Sequence, residues 1–66
     1  MRYRIYFKDP GHDPSEVDCV DLRVVGSRKL KAFLQDPKHG EDCVTISYGS
    51  EFKRIADTHD RTFFEA

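Results

Sequence analysis

The chain has 66 residues, 38% of them apolar and 35% charged, with three Tyr, five Phe, two Cys and a formal net charge of −1. That length allows one domain, residues 1–66, around a small core, because so short a chain buries only about 60% of the surface it exposes when unfolded. The near-zero net charge excludes a generally basic nucleic-acid coat, the absence of an apolar run of roughly 20 residues argues against a membrane span, and two cysteines are too few for the disulfide framework of a small secreted domain.

Residues 2–8 alternate, with Tyr3, Ile5 and Phe7 on one face and Arg2, Arg4, Tyr6 and Lys8 on the other, which predicts a half-buried strand. The segment 9–15 concentrates turn formers in Asp9, Pro10, Gly11, Asp13 and Pro14 and predicts a loop. Val20, Leu22 and Val24 restore the alternation while Val17 and Cys19 fall on the opposite parity, so a second strand is expected with a bulge, or with its start near Asp18. Ser27 is placed to cap a short helix running to Gln35, since Leu30, Phe33 and Leu34 share a helical face and Pro37 ends the segment. After a loop over 37–42, Cys43 to Tyr48 alternates with Val44, Ile46 and Tyr48 inward. Gly49-Ser50 reads as a hairpin turn into a strand near Phe52 to Ala56, with one or two helical turns from a Ser50 cap as the alternative there. Asp57 to Asp60 reads as a further turn before Thr62 to Glu65. The sum is an α+β fold, β-β-α-β-β-β, a mostly antiparallel sheet with one helix packed on one face. Its uncovered face would carry Arg2, Arg4, Tyr6, Lys8, Thr45 and Ser47.

The charges are segregated along the chain. From Asp9 to Leu22 there are five acidic residues (Asp9, Asp13, Glu16, Asp18, Asp21) and no Lys or Arg, whereas Arg23 to Lys38 carries five bases against Asp36. Separate blocks of this kind set up opposed surface fields that orient a partner on approach. The acidic candidates are therefore Asp9, Asp13, Glu16, Asp18 and Asp21, and the basic and aromatic ones Arg2, Arg4, Tyr6, Lys8, Arg28, Lys29 and Lys31.

Other chemistry is weakly signalled. His39 and Cys43 have ligand-like spacing, with His12, Cys19 and His59 as further donors, but Cys19 lacks the close second ligand of a structural zinc site, and no cofactor is expected. The aspartates of 9–21 do not match the spacing of a calcium loop. His59-Asp60-Arg61 offers a proton carrier beside a cation, the minimum for a small ribonuclease, yet no nucleophile elbow or glycine-rich turn accompanies it, so no enzyme is expected. Met1 to Lys8 alternates charged and apolar residues instead of opening on the apolar run of a secretory leader, and a cytoplasmic location is expected.

An opening Tyr-Arg-Ile-Tyr-Phe-Lys-Asp-Pro-Gly followed by a short amphipathic helix and a Gly-Glu-Asp-Cys-Val-Thr-Ile strand resembles, in size and layout, short phage and mobile-element proteins, including anti-CRISPR proteins. That resemblance implies a stoichiometric inhibitor that occludes a larger host protein or protein–nucleic acid complex, such as a CRISPR nuclease, and it assigns no residue. The alternative is a module for single-stranded RNA or DNA that uses Arg2, Arg4, Tyr6 and Lys8 to hold phosphates and stack a base. A strand at a sheet edge also offers pairing with a second copy, giving a homodimer.

Overall fold

The computed structural model describes residues 1–36 and 40–66, and the side chains of 1–34 and 43–66. The described residues form seven strands and no helix: β1 Arg2–Phe7, β2 Ser15–Asp18, β3 Asp21–Val24, β4 Lys29–Asp36, β5 Gly40–Ser47, β6 Phe52–Asp57 and β7 Thr62–Glu65. They build two antiparallel sheets, one of four strands in the order β2-β1-β6-β7 and one of three in the order β3-β4-β5. The fold is all-β, which overturns the α+β expectation.

The alternation of β1 is realised as written, with Tyr3, Ile5 and Phe7 buried and Arg2 and Arg4 exposed. The change of parity at Cys19 and Val20 has a different meaning from the bulge it suggested. Here the chain leaves one sheet for the other: the Cys19 N–H donates to the Met1 carbonyl in the four-stranded sheet, and the next N–H, of Val20, donates to the Phe33 carbonyl in the three-stranded one. A strand that changes sheets at a bend forms the corner of a sandwich, and β2 and β3 are the two arms of such a corner.

The expected helix from Ser27 to Gln35 is β4. Leu30, Phe33 and Leu34 do share a helical face, but two turns of helix are marginal without tertiary support. As a strand the same residues pair on both sides, with β3 and with β5, and send Leu30 and Ala32 into the core while Phe33 turns outward. Non-local pairing outweighs local propensity at this segment. The alternation Lys29, Leu30, Lys31, Ala32 was its trace in the sequence.

Gly49 and Ser50 do not close a hairpin, because β5 lies in the three-stranded sheet and β6 in the four-stranded one. The connection is held at both ends: Tyr48 N–H donates to the Arg28 carbonyl, Phe52 N–H to the Ser27 carbonyl, and Lys8 N–H to the Glu51 carbonyl. Phe52 to Asp57 is strand, so the helical alternative there is also excluded. The turn over 57–60 forms as expected, with Asp60 at φ 59°, a left-handed conformation that Asp tolerates better than most residues.

The core lies between the sheets. Ile5, Phe52 and Ile55 from one sheet meet Leu22 and Leu30 from the other, all but excluded from solvent. An aromatic group extends this core, with Phe7, Tyr48, Phe52 and Phe64 at centroid separations of 5.3 to 6.4 Å. His12 stacks on Phe7 at 3.8 Å and its Nδ1 lies 2.8 Å from Ser50 Oγ, tying the 9–14 loop to the β5–β6 connection. The β4–β5 hairpin overhangs the core. On its inner face Leu30 and Ala32 are buried, but Leu34 is 38% and Val44 45% exposed.

Candidate functional site

The two outer sheet faces carry the candidate residues, and they differ in how their charges are arranged. On the four-stranded sheet, register sets Arg2 opposite Asp18 and Arg4 opposite Glu16. Antiparallel hairpin geometry therefore folds the acidic stretch back onto the basic strand. The Arg4 guanidinium Nη2 donates to Glu16 Oε1 at 2.8 Å, and Arg2 Nε lies 3.8 Å from Glu16 Oε2. The Arg4 hydrogen bond foremost, against desolvation and with smaller help from the fields of Arg4 and Arg2, holds the Glu16 carboxyl below its ordinary range, and the same contact raises Arg4. Asp18 lies 3.4 Å from the N-terminal amine and Lys8 3.7 Å from Glu51. Asp9 and Asp21 are used locally: Asp9 Oδ1 accepts from Gly11 N–H, and Asp21 Oδ1 from Leu22 N–H. Asp13 is exposed in the loop.

The rest of this face was not foreseen. Arg54 donates to Thr62 Oγ1 at 3.0 Å and to the Asp60 carbonyl and carboxylate at 3.0 and 3.2 Å, and its guanidinium carbon lies 5.8 Å from the Tyr6 ring centroid. Asp57 Oδ1 accepts the N–H groups of His59 and Arg61 while Oδ2 accepts from Arg61 Nε. These bonds, the Arg61 N–H foremost, hold the Asp57 carboxyl low. Ala56, opposite Arg4 and Thr62, is too small to fill the space beneath them and forms the floor of a shallow open hollow of about 460 Å³. Its charged rim is paired: Arg2 and Arg4 with Glu16, Asp57 with Arg61 and Asp60 with Arg54.

The outer face of the three-stranded sheet is different. Arg23 stands directly opposite Lys31, Lys31 opposite Thr45, and Lys29 opposite Ser47. Leu22 and Leu30 are buried, so Arg23, Lys29 and Lys31 point away from the core, and Arg28 is exposed in the turn just before them. Among the described residues none of these four cations has a carboxylate within 4.0 Å. Arg23 instead covers Phe33, its guanidinium carbon 5.4 Å from the ring centroid. Thr45 and Ser47, expected to share a face with Arg2, Arg4 and Tyr6, are on this other side of the sandwich. Arg28, Lys29 and Lys31 were expected on a helix surface, and β4 instead places Lys29 and Lys31 in one row with Arg23 beside them. The signal for Arg23 was its parity opposite to Leu22, which was expected to point inward.

Cys19 is buried at the corner, where burial, ahead of nearby charges, pushes its thiol up, and Cys43 is exposed next to Phe33 on the basic face. His39 lies outside the described residues. Among those described, no three His, Cys, Asp or Glu side chains converge as a metal site, and no helix is long and apolar enough to cross a membrane. No protein-family model, curated protein or solved structure matches this chain.

Proposed function

We propose that the chain is a non-catalytic binding module that docks the basic outer face of its three-stranded sheet on an acidic surface of a larger protein, occluding that surface. The observation that supports this reading is the pairing of Arg23 with Lys31. Like charges directly opposite in neighbouring strands are destabilising, on the order of 0.5 kcal/mol at an exposed site, and Lys29 adds a third charge to the same field. A solvated face has no need of that repulsion, and an acidic partner removes it on binding. Thr45 and Ser47 add hydroxyl donors on the flank, and the half-buried Phe33 has one ring face covered by Arg23, which suits carboxylate recognition better than base stacking. The Arg2, Arg4, Tyr6 face supports single-stranded nucleic-acid binding less well, since a phosphate there has to displace Glu16 from Arg4. A reducing cytoplasm suits two unpaired thiols, and occlusion of a host protein fits so small a domain.

The test separates stability from binding. Lys31→Glu should raise the thermal midpoint of the isolated protein slightly, because it converts a like-charge pair into an attractive one. The same change should cost at least tenfold in affinity for the partner recovered from the native host by affinity capture, and weaken the salt dependence of binding. Arg2→Glu is the matched control on the paired face. If Lys31→Glu leaves affinity unchanged, or if nuclease treatment abolishes the captured complex, acidic-protein docking through this face is wrong.

A further inference from the structure

We propose that β5 is a dimerisation edge, through which two copies of this chain pair antiparallel about a two-fold axis at Val44. The proposal concerns a different surface from the basic face, and its readout is mass rather than partner affinity, so each can fail without the other.

The four edge strands are unequal. β2, β3 and β7 have four residues each, and the pairing of β6 with β7 is interrupted by a bulge. β5 has eight, runs against β4 without a register shift, and contains neither Lys nor Pro. Natural sheets protect long edges with just such short strands, bulges, lysines and prolines, because unpaired N–H and C=O groups template another strand. No described strand pairs with the outer side of β5, and its described side chains from Cys43 to Thr45 are exposed. An edge this long and unprotected is expected to be covered.

The hydrogen-bond pattern specifies the partner and the register. Tyr48 N–H donates to the Arg28 carbonyl, so the alternation of antiparallel ladders turns the backbone groups of residues 42, 44 and 46 toward β4 and those of Glu41, Cys43, Thr45 and Ser47 outward. A second β5 related by a two-fold axis must set outward-facing residues opposite one another. With the axis at Val44, Glu41 meets Ser47 and Cys43 meets Thr45 of the other copy, and their reciprocal pairs follow, so all four outward residues are used. Moving the axis to Cys43 or to Thr45 leaves at least one of them unpaired within the strand.

This register also answers a feature of the monomer. Val44, 45% exposed on the overhanging inner face, comes against its own image in the narrow type of cross-strand pair. The result is a continuous six-stranded sheet with both basic outer faces on one side.

Sedimentation equilibrium of the wild-type chain should give twice the 7.7 kDa of one copy, falling toward one copy on dilution. Thr45→Pro removes an N–H with no partner inside the chain, which edge positions tolerate, and should halve the mass while leaving the β-sheet circular dichroism in place. Should that variant not fold, cross-linking gives an independent readout. Opposed residues of a hydrogen-bonded pair lie about 5.5 Å apart at Cα, within disulfide reach, so Thr45→Cys should form a covalent dimer with native Cys43 under copper-phenanthroline oxidation. Wild type, in which Cys43 faces Thr45, should not. A wild-type chain that stays monomeric at every concentration overturns the proposal, as does a Thr45→Pro chain that still dimerises. Cross-linking of wild type through Cys43 alone overturns the register.

Discussion

The two outer faces are built from similar side chains and by the same antiparallel pairing, yet among the described residues one is neutralised by its own carboxylates and the other is not. On the four-stranded sheet a strand carrying Arg2 and Arg4 is followed, after one loop, by a strand carrying Glu16 and Asp18, and the reversal of direction lays opposite charges side by side. On the three-stranded sheet the strand carrying Arg23 is followed by one carrying Lys29 and Lys31, and the same reversal lays like charges side by side. Cross-strand neighbours are set by the turn between two strands, so a block of one sign becomes a patch only when the strand it pairs with has the same sign. The acidic block from Asp9 to Asp21 thus ends as the counter-charge of β1 and as local turn chemistry. Among the described residues, the basic block is the one left without counter-charges.

The comparison presumes that the two sheets are one cooperative unit, and the largest effect tests that. Ile5→Ala in the four-stranded sheet and Leu30→Ala in the three-stranded one should each cost about 2–5 kcal/mol, a large share of what so small a domain has, and should lower a single shared unfolding transition. Two separate transitions in urea would mean that the sheets are independent and their faces cannot be compared within one fold.

A middling effect sharpens the contrast between the corner and the basic face. Cys19 is 5% exposed with its thiol pushed up by burial, whereas Cys43 is exposed on the three-stranded sheet. Iodoacetamide near neutral pH should therefore label Cys43 many times faster than Cys19, as read by mass spectrometry of digested protein. Equal rates would place the corner open to solvent. The proposed pairing of two β5 edges would slow Cys43 in concentrated solution without protecting it on dilution.

The smallest effect concerns the paired face. Glu16 and Asp57 have carboxyls held low in the folded state, so each contributes stability that is present above its unfolded value, about 4, and lost as pH falls through its lower folded value. Thermal midpoints should drop below about pH 4, and Glu16→Gln should flatten part of that drop. Glu16 is well hydrated, so its share of the change is modest. Lys31→Ala should leave the acid limb as it is, since no carboxylate among the described residues is tied to it.

Much of the fold was legible where a segment's own pattern sufficed. β1, the turn chemistry of 9–14 and the 57–60 turn follow from period-2 alternation or from Asp, Pro and Gly with defined backbone preferences, which are local properties, whereas Phe52, Ile55 and Ala56 of β6 are buried without alternating and left a helical turn open. β4 was not legible in the same way, since Leu30, Phe33 and Leu34 satisfy a helical face and a strand equally over so short a stretch, and only β3 and β5 on either side decide between them. The site shows the same division. The cations at Arg23, Arg28, Lys29 and Lys31 could be named from the sequence, but the partners that cancel Arg2 and Arg4 could not, because they arrive from a separate strand.

By itself the amino-acid sequence determined that the chain is a small, nearly neutral domain with alternating strands, a basic stretch and two thiols. Tertiary structure alone decided that the strands divide into two sheets at Cys19 and Val20, that residues 29–36 are strand, and which charges meet. The physical reason is range: alternation and turn preference act over a few residues, whereas sheet membership and cross-strand contact depend on groups far apart in the chain that only the folded backbone brings together.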